Sequence, residues 1–163
     1  MRAVVCRSGT CAHAGDLPLI IDLPKSAQVD LSKATKLKDV EFKLWLRPTL
    51  LLTTLRTVTR DHRELERITL RVISSKGLRE GEDVRYAVGE STYQGWLELD
   101  RLLAQLNESH SFRLKVLRYK FHTDSDGSGE RRRMGILLPE VTARGIVDLV
   151  SSSPQADRKA DYY

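Results

Sequence analysis

Three copies of one hydrophobic spacing, separated by stretches of helical period, predict an α/β fold. In it, parallel strands alternate with helices in a short leucine-rich-repeat-like solenoid. The first observation is the repeat itself. Leu37, Val40, Phe42 and Leu44 in KLKDVEFKLWL are matched by Leu65, Ile68, Leu70 and Val72 in ELERITLRVIS, and again by Leu114, Leu117, Tyr119 and Phe121 in RLKVLRYKF. Each copy ends in alternation of period two, the pattern of a strand with one buried face. The second observation is what fills the alternate positions: Glu41, Lys43, Arg67, Arg71, Arg118 and Lys120. A sheet covered on both faces would carry continuous apolar strands, so these charges argue for one wet face. The third is the order strand, helix, strand, helix, strand, helix, strand, which implies parallel strands joined by crossover helices. The alternative reading of the same order is a small doubly wound sheet.

Residues 1–30 carry no copy of the repeat and read as an irregular N-terminal segment, with the repeat domain running over 31–150. After the first strand, Pro48 suits the first turn of a helix, where its missing N–H costs nothing. Leu51, Leu55 and Val58 continue that helix as a stripe. The segment 76–92, KGLREGEDVRYAVGEST, is charged and holds three glycines. It reads as an inserted loop and accounts for the longer spacing before the third copy. Trp96, Leu99, Leu102, Leu103 and Leu106 then recur at helical period, with Ser91 or Thr92 placed to cap. Met134, Leu137, Leu138 and Val141 form a further stripe, which Pro139 kinks or splits and Gly145 ends. Gly145 to Val150, GIVDLV, is a short strand, and the polar residues 151–163 are a disordered tail.

Composition limits the classes of function. The chain has 163 residues, 40% hydrophobic and 30% charged, which suits one folded domain. Aromatics are only 6%, so the core is aliphatic. The net charge is +5, with a pI near 9.4. Much of the excess lies in residues 113–133, where Arg113, Lys115, Arg118, Lys120, Arg131, Arg132 and Arg133 face Asp124, Asp126 and Glu130. Exposed strand positions followed by a basic helix start account for it. Cys6 and Cys11 are too few for a disulfide framework. No apolar run approaches the roughly 18–20 residues of a transmembrane helix, so no membrane partner is expected. The opening MRAVVCRSGTCAHAG is too short in apolar length for a signal peptide. The expected compartment is intracellular, cytoplasmic or nuclear.

The stretch most like a site is His122 to Glu130, HTDSDGSGE. Counted as a calcium loop from Asp124, it places Asp126, Ser128 and Gly129 at the third, fifth and sixth positions. The twelfth position, which needs a bidentate Glu, is Gly135, and three arginines intervene. A turn in which Asp and Gly supply positive φ and side-chain-to-backbone bonds fits better. Cys6, Cys11 and His13, with Asp16, lack the second Cys/His pair of a zinc site. His62 and His110 complete no motif, and Glu98 and Asp100 read as water-facing carboxylates on a helix. Phosphate-binding glycine loops and the His-Glu-x-x-His signature are absent from the sequence. No cofactor or metal is implied, and the chain is not expected to be an enzyme.

The succession LSKATKLKDVEFKL, TLRTVTRDHRELERITLRV, YQGWLELDRLLAQLNESHSFRLKVL and LLPEVTARGIVDLV resembles the C-terminal leucine-rich part of F-box-like proteins of mushroom-forming fungi. The resemblance spans about residues 31–150. Trp96-Leu97-Glu98-Leu99-Asp100, and Leu138-Pro139-Glu140 to Gly145-Ile146, carry most of it. It implies repeats that recognise a partner protein, downstream of an F-box that docks a ubiquitin-ligase adaptor. Leu17-Pro18 and Leu23-Pro24 echo an F-box opening, but its helices do not follow. The expected function is therefore protein recognition without catalysis, through the outward strand positions Glu41, Lys43, Arg67, Thr69, Arg71, Lys115, Arg118 and Lys120. The partner is an unidentified protein, and an uncapped repeat edge would favour self-association. The alternatives are a basic-face binder of nucleic acid or other anions, which the composition disfavours, and a truncated gene product without autonomous function.

Overall fold

Six parallel strands line up side by side in the order in which the chain makes them. The computed structural model describes residues 4–6, 9–10, 18–23, 29–45, 47–73, 82–119 and 128–151. Its strands are β1 (Val4–Cys6), β2 (Gly9–Thr10), β3 (Leu19–Asp22), β4 (Val29–Asp30), β5 (Asp39–Trp45), β6 (Arg67–Ile73), β7 (Arg113–Tyr119) and β8 (Val147–Ser151). The main sheet has the order β1-β3-β5-β6-β7-β8, and β2 pairs with β4 as a separate two-stranded sheet. Every pairing in both sheets is parallel. The helices lie in the connections. They are α1 (Thr49–Leu55) before β6, α2 (Val84–Val88) and α3 (Glu90–His110) before β7, and α4 (Ser128–Leu137) and α5 (Pro139–Ala143) before β8. The fold is thus α/β, with a parallel sheet and crossover helices. Among the described residues no helix is long and apolar enough to cross a membrane.

Alternation within the strands decides which face the helices cover. Val40, Phe42 and Leu44 of β5 and Ile68, Leu70 and Val72 of β6 are buried, in one core with Leu51 and Leu55 of α1, Trp96, Leu99 and Leu103 of α3, Met134 and Leu137 of α4 and Val141 of α5. Each such side chain contributes about 1.5–3 kcal/mol by leaving water. The intervening strand residues stay on the other face. Among the described residues, the fully buried hydroxyl of Thr54 in α1 has no hydrogen-bond partner. Thr54→Val keeps the shape and removes the orphan. It is expected to raise stability by about 1 kcal/mol in urea unfolding.

Several sequence expectations change here. The N-terminal segment 1–30, expected to be irregular, contributes β1 to β4. Leu19 and Ile21 are fully buried and pair with Val40 and Phe42. Strand β3 is four residues long, lies between Pro18 and Pro24 and lacks the repeat spacing, so it left little pattern to read. The expected loop 76–92 enters the described residues at Glu82, and there it carries α2 and the first turn of α3. Asp83 caps α2 by accepting from the Arg85 N–H at 2.9 Å. Gly89, at φ 82°, ends α2 and begins α3, so Ser91 and Thr92 lie inside α3 rather than capping it. Pro48 sits at the cap of α1, one place before its first turn. A Cβ on Gly95 would come within 3.1 Å of the Pro48 ring, so α3 passes close to that cap and a side chain there would need the ring to shift by a few tenths of an ångström.

The third copy of the repeat is out of register with the other two. The motif equates Leu114 with Leu65, but in the ladder Leu114 pairs with Ile68, three places further on. A shift by an odd number exchanges the two faces. Lys115 accordingly takes the row of Glu41 and Thr69, whereas Arg118 takes the row of Leu44 and Val72. Leu117, and not Arg118, stands in register with Lys43 and Arg71. Lys120 lies outside the described residues, as do residues 152–163 of the expected tail.

The last helical stripe divides as Pro139 requires. Leu138 breaks the helix at φ −129° and ψ 61°, as the residue before a proline tends to do, and Pro139 opens α5. Gly145 ends it at φ 68°. Its N–H bonds the Thr142 carbonyl at 3.0 Å, and the Ile146 N–H bonds the Val141 carbonyl at 3.1 Å, the paired bonds of a Schellman cap. That turn delivers the chain into β8.

Candidate recognition surface

The face of the sheet away from the helices is built in rows. Asp39, Arg67 and Arg113 form the first, and Glu41, Thr69, Lys115 and Asp148 the second. Asp22, Lys43, Arg71 and Leu117 form the third. Of the residues expected to face outward, Arg67 is exposed, Glu41, Lys43 and Arg71 are half-buried, and Thr69 is nearly covered at 8%. Arg71 Nε donates to Glu41 Oε1 at 2.8 Å, diagonally across two strands. Arg67 Nε lies 3.9 Å from Asp39 Oδ1. Acidic and basic groups thus share the face, with the cations Lys43 and Arg71, and Arg67 and Arg113, in register with one another, and exposed ion pairs contribute at most about 1 kcal/mol each.

The turns that bring the strands into line are tied by side chains. The Leu31 N–H donates to Thr57 Oγ1 at 2.8 Å, and the Leu31 carbonyl lies 2.8 Å from His62 Nε2. His62 Nδ1 accepts from the Thr59 N–H at 3.0 Å, which leaves the ring proton on Nε2 to donate to Leu31. His110 Nε2 in turn lies 2.9 Å from the Thr59 carbonyl. Each histidine reaches back to a backbone carbonyl of the preceding turn, giving a ladder along the stack. His62 is fully buried, so it is a structural group and not an available base.

Asp100 is a second buried polar group whose role the sequence did not reveal. It was expected to face water, and Glu98 beside it does, but Asp100 is only 3% exposed. Its carboxylate accepts from the Glu140 N–H at 2.8 Å and the Val141 N–H at 3.0 Å, and so holds the first turn of α5 against α3. The signal was present: Trp96, Asp100 and Leu103 follow helical spacing, so the buried stripe of α3 passes through residue 100. Glu98 pairs with Arg56, the residue that caps the end of α1, and Arg144 pairs with Glu108 of α3 and with Glu140.

One carboxylate on the helical side is strongly perturbed. Arg85 donates to Glu90 from Nε at 2.7 Å and from Nη2 at 3.0 Å, and lies 5.3 Å from the centre of the Tyr93 ring. The Arg85 guanidinium, followed by the Gln94 amide, lowers the Glu90 pKa from 4.5 to about 2. The folded form therefore gains stability from this group above its unfolded pKa and loses it as pH falls through about 2. A carboxyl carbon NMR titration is expected to find that low midpoint, and Arg85→Ala should return it toward the ordinary glutamate value.

The remaining site expectations yield little chemistry. Cys6 lies on β1, while Cys11, His13 and Asp16 lie outside the described residues, as do His122 to Gly127 of the calcium-like stretch. Ser128 and Gly129, which a calcium loop would use, open α4 instead. Among the described residues no group of His, Cys, Asp and Glu could hold a metal ion. The fold and this surface define an α/β protein whose parallel sheet is packed by helices on one face and lined by mixed charges on the other. No protein-family model, no curated protein and no solved structure matches the chain.

Proposed function

We propose that the chain is a non-catalytic protein-recognition module, a short leucine-rich-repeat-like solenoid that contacts a protein partner through its open strand face. The observation that carries this reading is the strict chain order of six parallel strands with helices packed on one side. A doubly wound sheet reverses its order at a switch point and covers both faces. A stack that adds one strand and one return per repeat does neither and leaves a wide strand face to solvent. The backbone-to-histidine ladder between successive turns supports the same stacking. The resemblance to the recognition part of F-box-like proteins agrees with it, and on that reading the chain is the substrate-recognising remnant of such a receptor.

Affinity capture with the tagged chain from a lysate of its own source tests the reading. Recovery of one stoichiometric protein is expected, and it should be lost from the Lys43→Glu and Arg71→Glu variants. Both positions lie on the open face, so their effect locates the contact as well as detecting it. Recovery of only chaperones and ribosomal proteins, unchanged by the variants, would overturn it.

A further inference from the structure

We propose that the corner of the open face formed by Arg67 and Arg113 binds an acidic segment of the partner protein. The proposal rests on the recognition reading above and names the chemistry of its partner. Arg67 and Arg113 are direct register partners on neighbouring strands, and both are exposed. Adjacent strands run about 4.8 Å apart, and like charges directly opposite one another destabilise a sheet.

Compensation at this corner is thin. Asp39 stands 3.9 Å from Arg67, and Arg113 makes no ion pair among the described residues. The first strand residue of β8 in the ladder, Val147, pairs with Leu114, one place past Arg113, so β8 sets no carboxylate beside Arg113. Lys115 follows two places along β7, in register with Thr69. Two exposed arginines in register on neighbouring strands offer two donor forks within one corner, and guanidinium forks take up carboxylates in bidentate fashion.

A carboxylate-bearing peptide fits this corner better than a nucleic acid does. Asp39, Glu41 and Asp148 share the face and bracket the arginines. A polyphosphate, with a charge about every 1.7 Å in duplex form, would run across those carboxylates as well as the cations. A peptide can confine its negative charge to the corner and turn neutral or basic residues toward Asp39, Glu41 and Asp148.

Fluorescence anisotropy of the full chain with three labelled probes tests this. The probes are a short Gly/Ser peptide with a central run of glutamates, its glutamine counterpart, and an oligothymidylate of similar length. The glutamate peptide is expected to bind about tenfold or more tightly than either other probe, and Arg67→Glu with Arg113→Glu should weaken it about tenfold or more. Arg113→Gln should weaken the same peptide while raising the melting temperature, because it removes one of two opposed charges. Equal binding of the glutamine peptide, preference for the oligonucleotide, or indifference to both arginines would overturn the proposal. If the arginines are without effect while partner capture still depends on Lys43 and Arg71, only the acidic-partner assignment falls. If capture also fails, the recognition reading falls with it.

Discussion

Replacing Asp100 with alanine is expected to lower the stability of the fold by about 3–4 kcal/mol, seen as an earlier urea midpoint at nearly unchanged slope. The carboxylate accepts from two backbone N–H groups at the start of α5, one of them on the fully buried Val141. Alanine leaves both donors without an acceptor and opens a small cavity between α3 and α5. Hydrogen bonds to a charged acceptor are among the stronger ones, and a buried donor stranded without a partner costs its full desolvation. Asp100→Asn isolates the cause. It keeps the size and one acceptor oxygen but turns an NH2 group toward the other N–H, so it should fall between alanine and the parent. An alanine variant within about 1 kcal/mol of the parent would mean that α5 does not depend on this cap.

The second large effect is expected at His62. His62→Ala should cost about 2–4 kcal/mol, the sum of a cavity and two broken backbone contacts. The ring bridges the Leu31 carbonyl and the Thr59 N–H, and thereby links the turn before β5 to the turn before β6. Without it the Leu31 carbonyl keeps only its 2.8 Å bond from the Ala34 N–H, and the Thr59 N–H loses its acceptor. His62→Gln restores a donor of similar reach toward Leu31 and should recover part of the loss. Hydrogen exchange separates this role from a merely space-filling one. Protection of the Thr59 amide should fall in the alanine variant more than protection of the β6 core, such as Leu70. Uniform loss across the sheet would instead assign the effect to packing alone.

Legibility in the sequence followed the strength of local pattern. The alternation in β5 and β6 was readable because both strands alternate apolar with polar or charged residues at every step from Val40 to Leu44 and from Ile68 to Val72. The stripe of α3 was readable for the same reason, as was its partner stripe broken at Pro139. Strand β7 was harder. It reads RLKVLRY, in which Val116 and Leu117 are adjacent apolar residues, so either parity fits. The choice between them is made by pairing with β6, which is not a local property. The buried polar groups were hidden for a related reason. Asp100 looks like any helical carboxylate until α5 is packed on it, and His62 looks like a loop histidine until Leu31 comes within 2.8 Å.

By itself the sequence determined the class of fold, the existence of one buried and one charged strand face, and the breaks at Pro139 and Gly145. Those features depend on side-chain period and backbone restriction, which act over a few residues. Only the tertiary structure decided how the strands are ordered, that β1 and β3 extend the sheet, and which residues of β7 stand beside Glu41 and Arg71. It also decided that Arg67 and Arg113 are opposed. These outcomes depend on which strands become neighbours, and that is set by burial summed over the whole core rather than by any one segment's pattern.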